Sequence, residues 1–565
     1  MKRLLLTLCL LLLAGALLTP SAHAQQPAPP ASYPKAPEVF SVSGREAYLV
    51  AREEPEVARL TAELGRLTTR EELRDDGRWQ LGFFDKDDEE VVQVHVDGGT
   101  GDVLETWTGV QVAWSMARGY EGQFGHALNA PWVWVPLALI FFLGLLDWRK
   151  PLRIAHLDLL VLLSFGVSQI FFDSGEIGVS APLAYPPLLY LLGRMLWVGF
   201  RGRGEPGLRP SAPRMFLIVV CLFAIAFRVT LNLTDSGVID VGLAGVAGAE
   251  QITSGEPIYG EGLFPEEVPT GDTYGPANYA AYVPFELALP WSGEWDDLPS
   301  AHAASLFFDI ATVFGLFILG LRSRGQTPRS GSDPTRELCP QRLGLILAFA
   351  WLTYPYTTYA LQSNTNDSLV AALLVWGLVA LGSPVGRGIL VGLAAMVKFA
   401  PLALVPLYAV GRRGLSDRLD GWRPSWTPLR PVLLAGAAAA FTIALMLAHP
   451  AIDPGLATFY ERTVESQLVR DSPFSIWGQV DGLDAIQGFV LILAGILAII
   501  VAFKPGRRTT AQLAALAAAV VIASQLAVDH WFYLYIPWFC GLVFVALALP
   551  VISDTMRVTQ RREPS

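Results

Sequence analysis

Residues 271–290 read GDTYGPANYAAYVPFELALP. Whether this aromatic, proline-containing stretch crosses a bilayer decides the topology of everything after it. A crossing would reverse the side of every later loop. Left as a helix lying in the interface, it puts all basic loops on one side, as the distribution of Lys and Arg in helical membrane proteins requires. The stretch lies in a loop, residues 232–300, that contains no Lys or Arg and carries Asp235, Asp240, Glu250 and Asp272.

Outward from that loop, the chain is 52% hydrophobic and 16% charged, with mean hydropathy +0.41. This composition points to a polytopic helical membrane protein. The net charge of −10 sits mainly in exported parts and gives no reason to expect nucleic acid. Apolar segments are expected at 132–146, 156–172, 182–200, 215–231, 301–321, 343–354, 367–381, 432–447, 486–503, 510–527 and 532–549. The two short runs 388–397 and 399–410 read as a hairpin bent at Lys398. These make about 13 crossings, with the basic clusters at 149–153, 201–214, 322–336, 412–413, 504–508 and 557–562 on one side.

Residues 1–24 carry Lys2 and Arg3, a leucine run and Ala22-His23-Ala24, and read as a secretory signal; an uncleaved first anchor is the other reading. A Pro/Ala-rich linker (25–42) leads to an exported domain (43–110). There, 43–64 has helical spacing and 79–84, 91–96 and 103–108 read as strands of a three-strand meander. GRWQLGFFDKDDEEVVQVHVDGGTGDVLETWTG, residues 77–109, resembles the PepSY-like domains, which implies a binding or inhibitory module. Asp85, Asp87 and Asp88 read as a solvated turn, with calcium binding as the alternative, and His95 as a strand-surface residue. A second linker (111–130) and extra transmembrane helices (131–214) precede the main membrane domain (215–550), and 551–565 form a cytoplasmic tail. Of the four cysteines, Cys9 lies in the leader and Cys221, Cys339 and Cys540 in spans or an inner loop, so neither a disulfide framework nor a Cys-based metal site is expected.

Chemistry concentrates on the outer side. Asp240 lies just past a span end and can serve as a general base or as the cap of a helix over 241–252; Asp235 is the reserve base. Lys398 inside an apolar hairpin is either a phosphate ligand or a snorkelling side chain. Arg462 and Arg470 are the basic residues of 449–484, suited to phosphate or to surface pairs with Glu461, Glu465 or Asp471. Gln467 and Trp477 add a donor and an aromatic platform. His530 can bind phosphate or sugar, or belong to an interfacial belt with its aromatic neighbours. Asn364, Asn366 and Asp367 cap an inward helix or hydrogen-bond a sugar or acceptor. His302 and Asp309, seven apart, share a helix face but lack a third ligand. No nucleotide loop, hydrolase elbow or cytoplasmic nucleotide-sugar domain is present.

Four segments in order carry a resemblance: VGLAGVAGAEQITSGEPIYG after Asp240, then TYGPANYAAYVPFELALP, YPYTTYALQSNTNDSL and GLAAMVKFAPLALVPL. They resemble the polyprenyl-phosphate-sugar-dependent glycosyltransferases of the GT-C fold, in particular the bacterial mannosyltransferase-like family 87. Asp240, Gly255, Pro257 and Tyr259 stand where that family has its acidic residue and G-x-P-Y turn. Tyr274, Gly275 and Pro276 match its aromatic-proline segment, and Lys398 and Pro401 its K-x-x-P bend. The runs 459–479 and 529–539 depart from the pattern. The resemblance implies an inverting transfer, in the bacterial plasma membrane, of a hexose or pentose, mannose-like favoured, from a lipid-linked donor to a cell-envelope glycan or glycolipid. Read from the residues, the candidate donor-phosphate contacts are Lys398, Arg462, Arg470 and His530, and the candidate substrate contacts are Tyr259, Tyr274, Asn364, Asn366, Asp367, Gln467 and Trp477; of these, the resemblance extends to Lys398, Tyr259 and Tyr274. No cofactor or metal is expected. A transporter or flippase for a lipid-linked glycan is the competing function; it predicts paired repeats and mid-membrane charges.

Overall fold

The computed structural model describes residues 41–74, 76–119, 126–201, 207–265, 268–293, 298–323, 339–419, 428–468, 472–480 and 482–549. The signal segment, most of the first linker and the tail lie outside the described residues, as does Arg470. The chain forms two units, Met1–Arg118 and Gly119–Ser565.

In the first unit a helix pair covers one face of an antiparallel sheet. Gly44–Ala51 starts with a reciprocal cap in which Ser43 Oγ accepts from Glu46 N and Glu46 Oε2 accepts from Ser43 N. Pro55 then opens a second helix, Pro55–Leu64, so the single helix expected over 43–64 is two. The sheet has four strands rather than three: β1 (Thr68–Leu73), β2 (Arg78–Phe84), β3 (Glu90–Asp97) and β4 (Val103–Thr108), in that order. β1 reads TTREEL, and its charges hide its β character while protecting a sheet edge. Pairing of Trp79 with Val96, Leu81 with Val94 and Phe83 with Val92 puts all six on the core face with Ala47, Ala51 and Val57. His95 is on the opposite face, yet it is buried, with Nδ1 3.1 Å from Glu105 Oε2, so the surface expectation fails. The aspartates of the β2–β3 turn serve the turn: Asp85 Oδ1 accepts from the backbone N–H groups of Asp87 and Glu89, and Asp88 pairs with Arg70.

The second unit is helical. Among the described residues five helices are long and apolar enough to cross a membrane: Ile154–Asp173, Arg214–Thr234, Pro299–Arg322, Arg430–Ile452 and Asp484–Phe503. Six more apolar helices have 10–17 residues. The segment expected over 182–200 is broken, into Ile177–Leu183 and Tyr185–Arg201. The 388–410 region is the expected hairpin. Pro384–Val397 runs to Lys398, and Ala400–Leu404 and Val405–Val410 run back. Arg387 closes its base by donating to the carbonyls of Tyr408 (2.7 Å) and Ala409 (3.0 Å).

One buried ion pair ties the bundle. Pro355 has no N–H, so it leaves the Trp351 carbonyl without its helical partner between Pro340–Thr353 and Pro355–Gln362. Arg228 fills the gap. It donates to the Trp351 and Leu352 carbonyls, to the hydroxyls of Thr357 and Thr358, and to Asp309 Oδ1 at 2.8 Å. Arg228 and Asp309 are both fully buried.

Candidate functional site

The site begins at a turn. Asn364 has φ +47°, a left-handed conformation that Asn tolerates because its short amide can bond locally. Its Nδ2 donates to Ser236 Oγ (3.0 Å) and the Gly237 carbonyl (2.9 Å), and its Oδ1 accepts from Asn232 Nδ2 (2.7 Å). His302 Nδ1 lies 3.2 Å from the same amide. Backbone bonds from Gly237 N to Gln362 O and from Ile239 N to Ser363 O lay residues 237–239 along the turn. Gly242 continues this contact: a Cβ there would lie 2.6 Å from the Asn364 carbonyl. Asp235 and Asp240 therefore flank the turn, both exposed. Asp240 is the first residue of Asp240–Ser254; its Oδ1 accepts from Val241 N at 2.8 Å, while the cap position belongs to Ile239. The helix ends at Gly255 in the left-handed conformation.

The turn delivers Asp367 to Lys398. Asp367 is the first residue of Asp367–Val379, and Asn366 makes no side-chain cap; its Nδ2 instead donates to Asn278 Oδ1 (2.8 Å). Lys398 Nζ donates to Asp367 Oδ1 at 2.6 Å, and Trp538 Nε1 donates to the same oxygen at 2.7 Å. Thr365 Oγ1 bonds the other oxygen. The Lys398 side chain is 10% exposed. Its ammonium lies 5.0 Å from the Trp538 ring centroid, 5.1 Å from Tyr535 and 5.7 Å from Tyr274, within cation–π range of all three. Tyr535 stacks on Trp538 at 4.7 Å and meets the His530 ring at 6.3 Å. Ser472 Oγ lies 2.9 Å from His530 Nδ1.

Tyr274 is held by its own loop. Gly275 N donates to the Val397 carbonyl (3.2 Å), and a Cβ at Gly275 would collide with the Met396 carbonyl. Tyr259 Oη donates to the Tyr274 carbonyl (2.9 Å), and Tyr279 Oη accepts from Tyr274 N (3.2 Å) and donates to the Gly271 carbonyl (2.6 Å). Burial pushes the Tyr259 and Tyr279 phenols well above their usual range, so both stay neutral donors. Pro276–Ala288, which carries Asn278, is not among the helices long and apolar enough to cross. It docks on Asp240–Ser254, where Gly245 and Gly248 leave room for the rings of Tyr282 and Tyr279.

The remaining expected contacts divide. Arg462 faces Asp272, not an open site: Nε reaches Oδ2 at 2.5 Å and Nη2 reaches Oδ1 at 3.0 Å. The hydrogen bond to Asp272 raises the Arg462 pKa. Asp272 is fully buried and also accepts from Gly260 N (3.1 Å). Trp477 spends its N–H on the Leu526 carbonyl (3.0 Å), and Gln467 is exposed. The structure thus gathers Lys398, Asp367, Asn366 and Tyr274, with Asp235, Asp240 and Asn364 at the adjoining turn and His530 behind Tyr535. Sequence reasoning missed Tyr535 and Trp538 as walls, Asn278 as a partner and Asp272 as the anchor of Arg462. Among the described residues no group of three or more His, Cys, Asp or Glu is placed to hold a metal ion.

Residues 273–528 match the family model described as Glycosyltransferase family 87, which indicates a glycosyltransferase of the GT-C type. The match covers Tyr274, Asp367 and Lys398; Asp240, Tyr259, His530 and Trp538 lie outside it. No curated protein matches the chain. With its apolar helices, the chain is a multi-pass membrane protein.

Proposed function

We propose that this glycosyltransferase moves a hexose or pentose, mannose-like favoured, from a polyprenyl-phosphate sugar to a glycan or glycolipid acceptor of the cell envelope, on the extracytoplasmic side. The observation that carries the proposal is Lys398. It is a nearly buried cation at the bend of an apolar hairpin, walled by three aromatic rings and paired with Asp367, which follows the Asn364 turn that Asp240 flanks. A phosphate leaving from a lipid needs a cation where little water screens it. Asp240, exposed beside the same turn, can take a proton.

In the proposed reaction the acceptor hydroxyl oxygen attacks the anomeric carbon and Asp240 accepts its proton. The bond from that carbon to the phosphate oxygen breaks, and the electron pair leaves with the phosphate, whose growing charge Lys398 offsets. A single displacement of this kind inverts the anomeric centre. Asp367 competes for Lys398 before the donor arrives and orients the ammonium between the rings. Buried Asn278 Nδ2, Asn366 Oδ1 and Tyr282 Oη have no protein partner among the described residues, and such groups suit hydroxyl-rich ligands. His530 and Arg470 remain further phosphate ligands of this reading. Arg462 does not, because Asp272 fills its fork.

Charge supports the proposed sidedness: Arg387, Arg412, Arg413, Arg418, Lys504, Arg507 and Arg508 gather at the opposite end of the hairpin. The first unit, with its helix pair on a meander, fits a PepSY-like binding or regulatory module. The test is transfer from radiolabelled polyprenyl-phosphate mannose in membranes holding the protein. Labelled product that depends on the protein supports the reading; no transfer from any polyprenyl-phosphate sugar overturns it.

A further inference from the structure

Residues 411–418 and 503–510 form a second cationic cluster at the end of the bundle away from Lys398. A short antiparallel bridge pairs Arg413 with Arg507, flanked by bonds from Gly414 N to Gly506 O (2.8 Å) and from Arg508 N to Arg412 O (3.0 Å). Gly414 is required there, because a Cβ would lie 2.5 Å from both Arg508 Nη2 and the Phe503 carbonyl. Residues opposite each other in an antiparallel bridge point to the same side, so the two guanidinium groups stand together.

The arginines here serve two purposes. Arg387, Arg418 and Arg508 turn inward and donate to helix-end carbonyls, including those of Tyr408, Val410 and Val501. Arg412, Arg413, Lys504 and Arg507 face outward. The side chains of Arg413 and Arg507 are 61% and 71% exposed, and Asp417 is the one carboxylate that bridges them among the described residues, 3.8 Å from Arg413 and 2.9 Å from Arg507. Among the described residues, the fold therefore holds several outward cations together against Asp417 alone.

What surrounds them is apolar. Arg430–Ile452 begins here and Asp484–Phe503 ends here, and these are the two candidate spans least covered by protein. Leu433 and Leu434 on the first, and Ile499, Ile500 and Phe503 on the second, are exposed large hydrophobic side chains near these ends. A cationic head position with exposed apolar side chains running away from it matches an amphiphile, whereas free phosphate or a nucleic acid would use the charges alone.

We propose that this cluster is a binding site for an anionic phospholipid, with its phosphate on Arg413 and Arg507 and its acyl chains along the ends of the two exposed spans. The site is separate from Lys398 and does not depend on the sugar-transfer reading.

The full-length protein, delipidated in neutral detergent, is offered equal phosphatidylglycerol and phosphatidylcholine, and the retained lipid is counted by native mass spectrometry. Wild-type protein should retain phosphatidylglycerol preferentially. The Arg413→Gln/Arg507→Gln variant should lose about thirtyfold of that affinity, since each cation near an anionic lipid surface contributes about a factor of five. Arg413→Lys/Arg507→Lys should keep most of it, and Arg149→Gln/Lys150→Gln should be unchanged. A wild-type protein without headgroup preference, or a Gln/Gln variant that retains phosphatidylglycerol as wild type does, overturns the proposal. So does full displacement of the lipid by equimolar inorganic phosphate, which would make the site one for the anion alone. The Lys/Lys variant guards against misfolding: loss in both variants with a lowered melting temperature assigns the arginines to packing and also overturns it.

Discussion

Lys398 and Asp367 meet at 2.6 Å although they are 31 residues apart and each sits at the end of its own helix. The carboxylate also takes the Trp538 N–H, so it is fixed before any substrate arrives. Lys398→Ala should lower turnover with a lipid-linked donor by about a hundredfold, the scale of removing one oxyanion-stabilising group. Acceptor KM should change little. Asp367→Asn, which keeps the shape and releases the ammonium, should alter donor KM more than kcat. Steady-state kinetics with each substrate varied separately decide both; wild-type donor kinetics in Lys398→Ala would reduce Lys398 to a snorkelling side chain.

Asp240→Asn should abolish transfer while insertion and melting temperature stay near wild type, because the amide cannot take a proton and its bond to Val241 N can persist. Loss of general-base assistance is worth about 10²–10⁴ in rate. Asp235→Asn is the comparison. If Asp240→Asn turns over fully and Asp235→Asn does not, the base is Asp235.

The pair between Asp272 and Arg462 should act at a distance. Asp272 also holds Gly260 N, and its loop carries Tyr274 to Lys398. Asp272→Asn should destabilise the protein by about 1–3 kcal/mol, less than the loss of a fully buried pair because Arg462 is 27% exposed. Donor KM should rise with it. Arg462→Lys should be milder in both. Unchanged melting temperature and donor KM in Asp272→Asn would remove the pair from this role.

Gly275→Ala should be damaging out of proportion to one methyl group. The new Cβ meets backbone, the Met396 carbonyl, which cannot rotate away as a side chain could. Overpacking of this kind costs about 1–3 kcal/mol, and here the strain falls between Tyr274 and Lys398. The readout is transfer activity at a temperature where the variant remains folded; wild-type activity would show that the two segments can part without consequence.

The first unit should weaken in mild acid. Burial lowers the His95 pKa from 6.5, partly opposed by Glu105, so the folded state binds fewer protons than the unfolded chain. Stability from this group is therefore present above pH 6.5 and falls as pH drops through that value. Asp97 adds to the trend lower down, because N–H groups of Thr100 and Gly99 hold its pKa below the usual value. The protection factors of the β3 and β4 amides in the full protein, with each rate referred to its intrinsic rate at the same pH, should fall between pH 7.5 and 5.5, and His95→Gln should flatten that dependence. An equally steep profile in His95→Gln would exclude it as the source.

What the sequence made legible was local. Lys398 at a bend, Gly255 at a helix end and the helical hairpin each follow from a few adjacent residues, and each is present. The hidden parts depend on distance. Nothing near Trp538 announces that its N–H will meet Asp367, 171 residues earlier, and nothing near Arg462 announces Asp272. The capping reading of Asn366 was locally reasonable and lost to a tertiary partner, Asn278. His95 misled for a related reason: alternation correctly put it on the face away from the core, but did not show that this face is covered there. β1 was hidden by its charges, which suit an exposed edge as well as a helix.

Arg228 bears on how the chain is made. Its helix, Arg214–Thr234, is made before Asp309, and a lone guanidinium within an apolar span is unfavourable, by about 2.5–3.5 kcal/mol at a span's centre. The helix therefore has reason to wait at the translocon, or beside a chaperone, until Pro299–Arg322 arrives to neutralise it. The carbonyls exposed by Pro355 come later still and complete the arginine's coordination. One side chain then favours an order in the biogenesis of this membrane domain: Arg214–Thr234 gains its carboxylate partner only once Pro299–Arg322 is in place, and its remaining acceptors only once Trp351 and Thr357 follow.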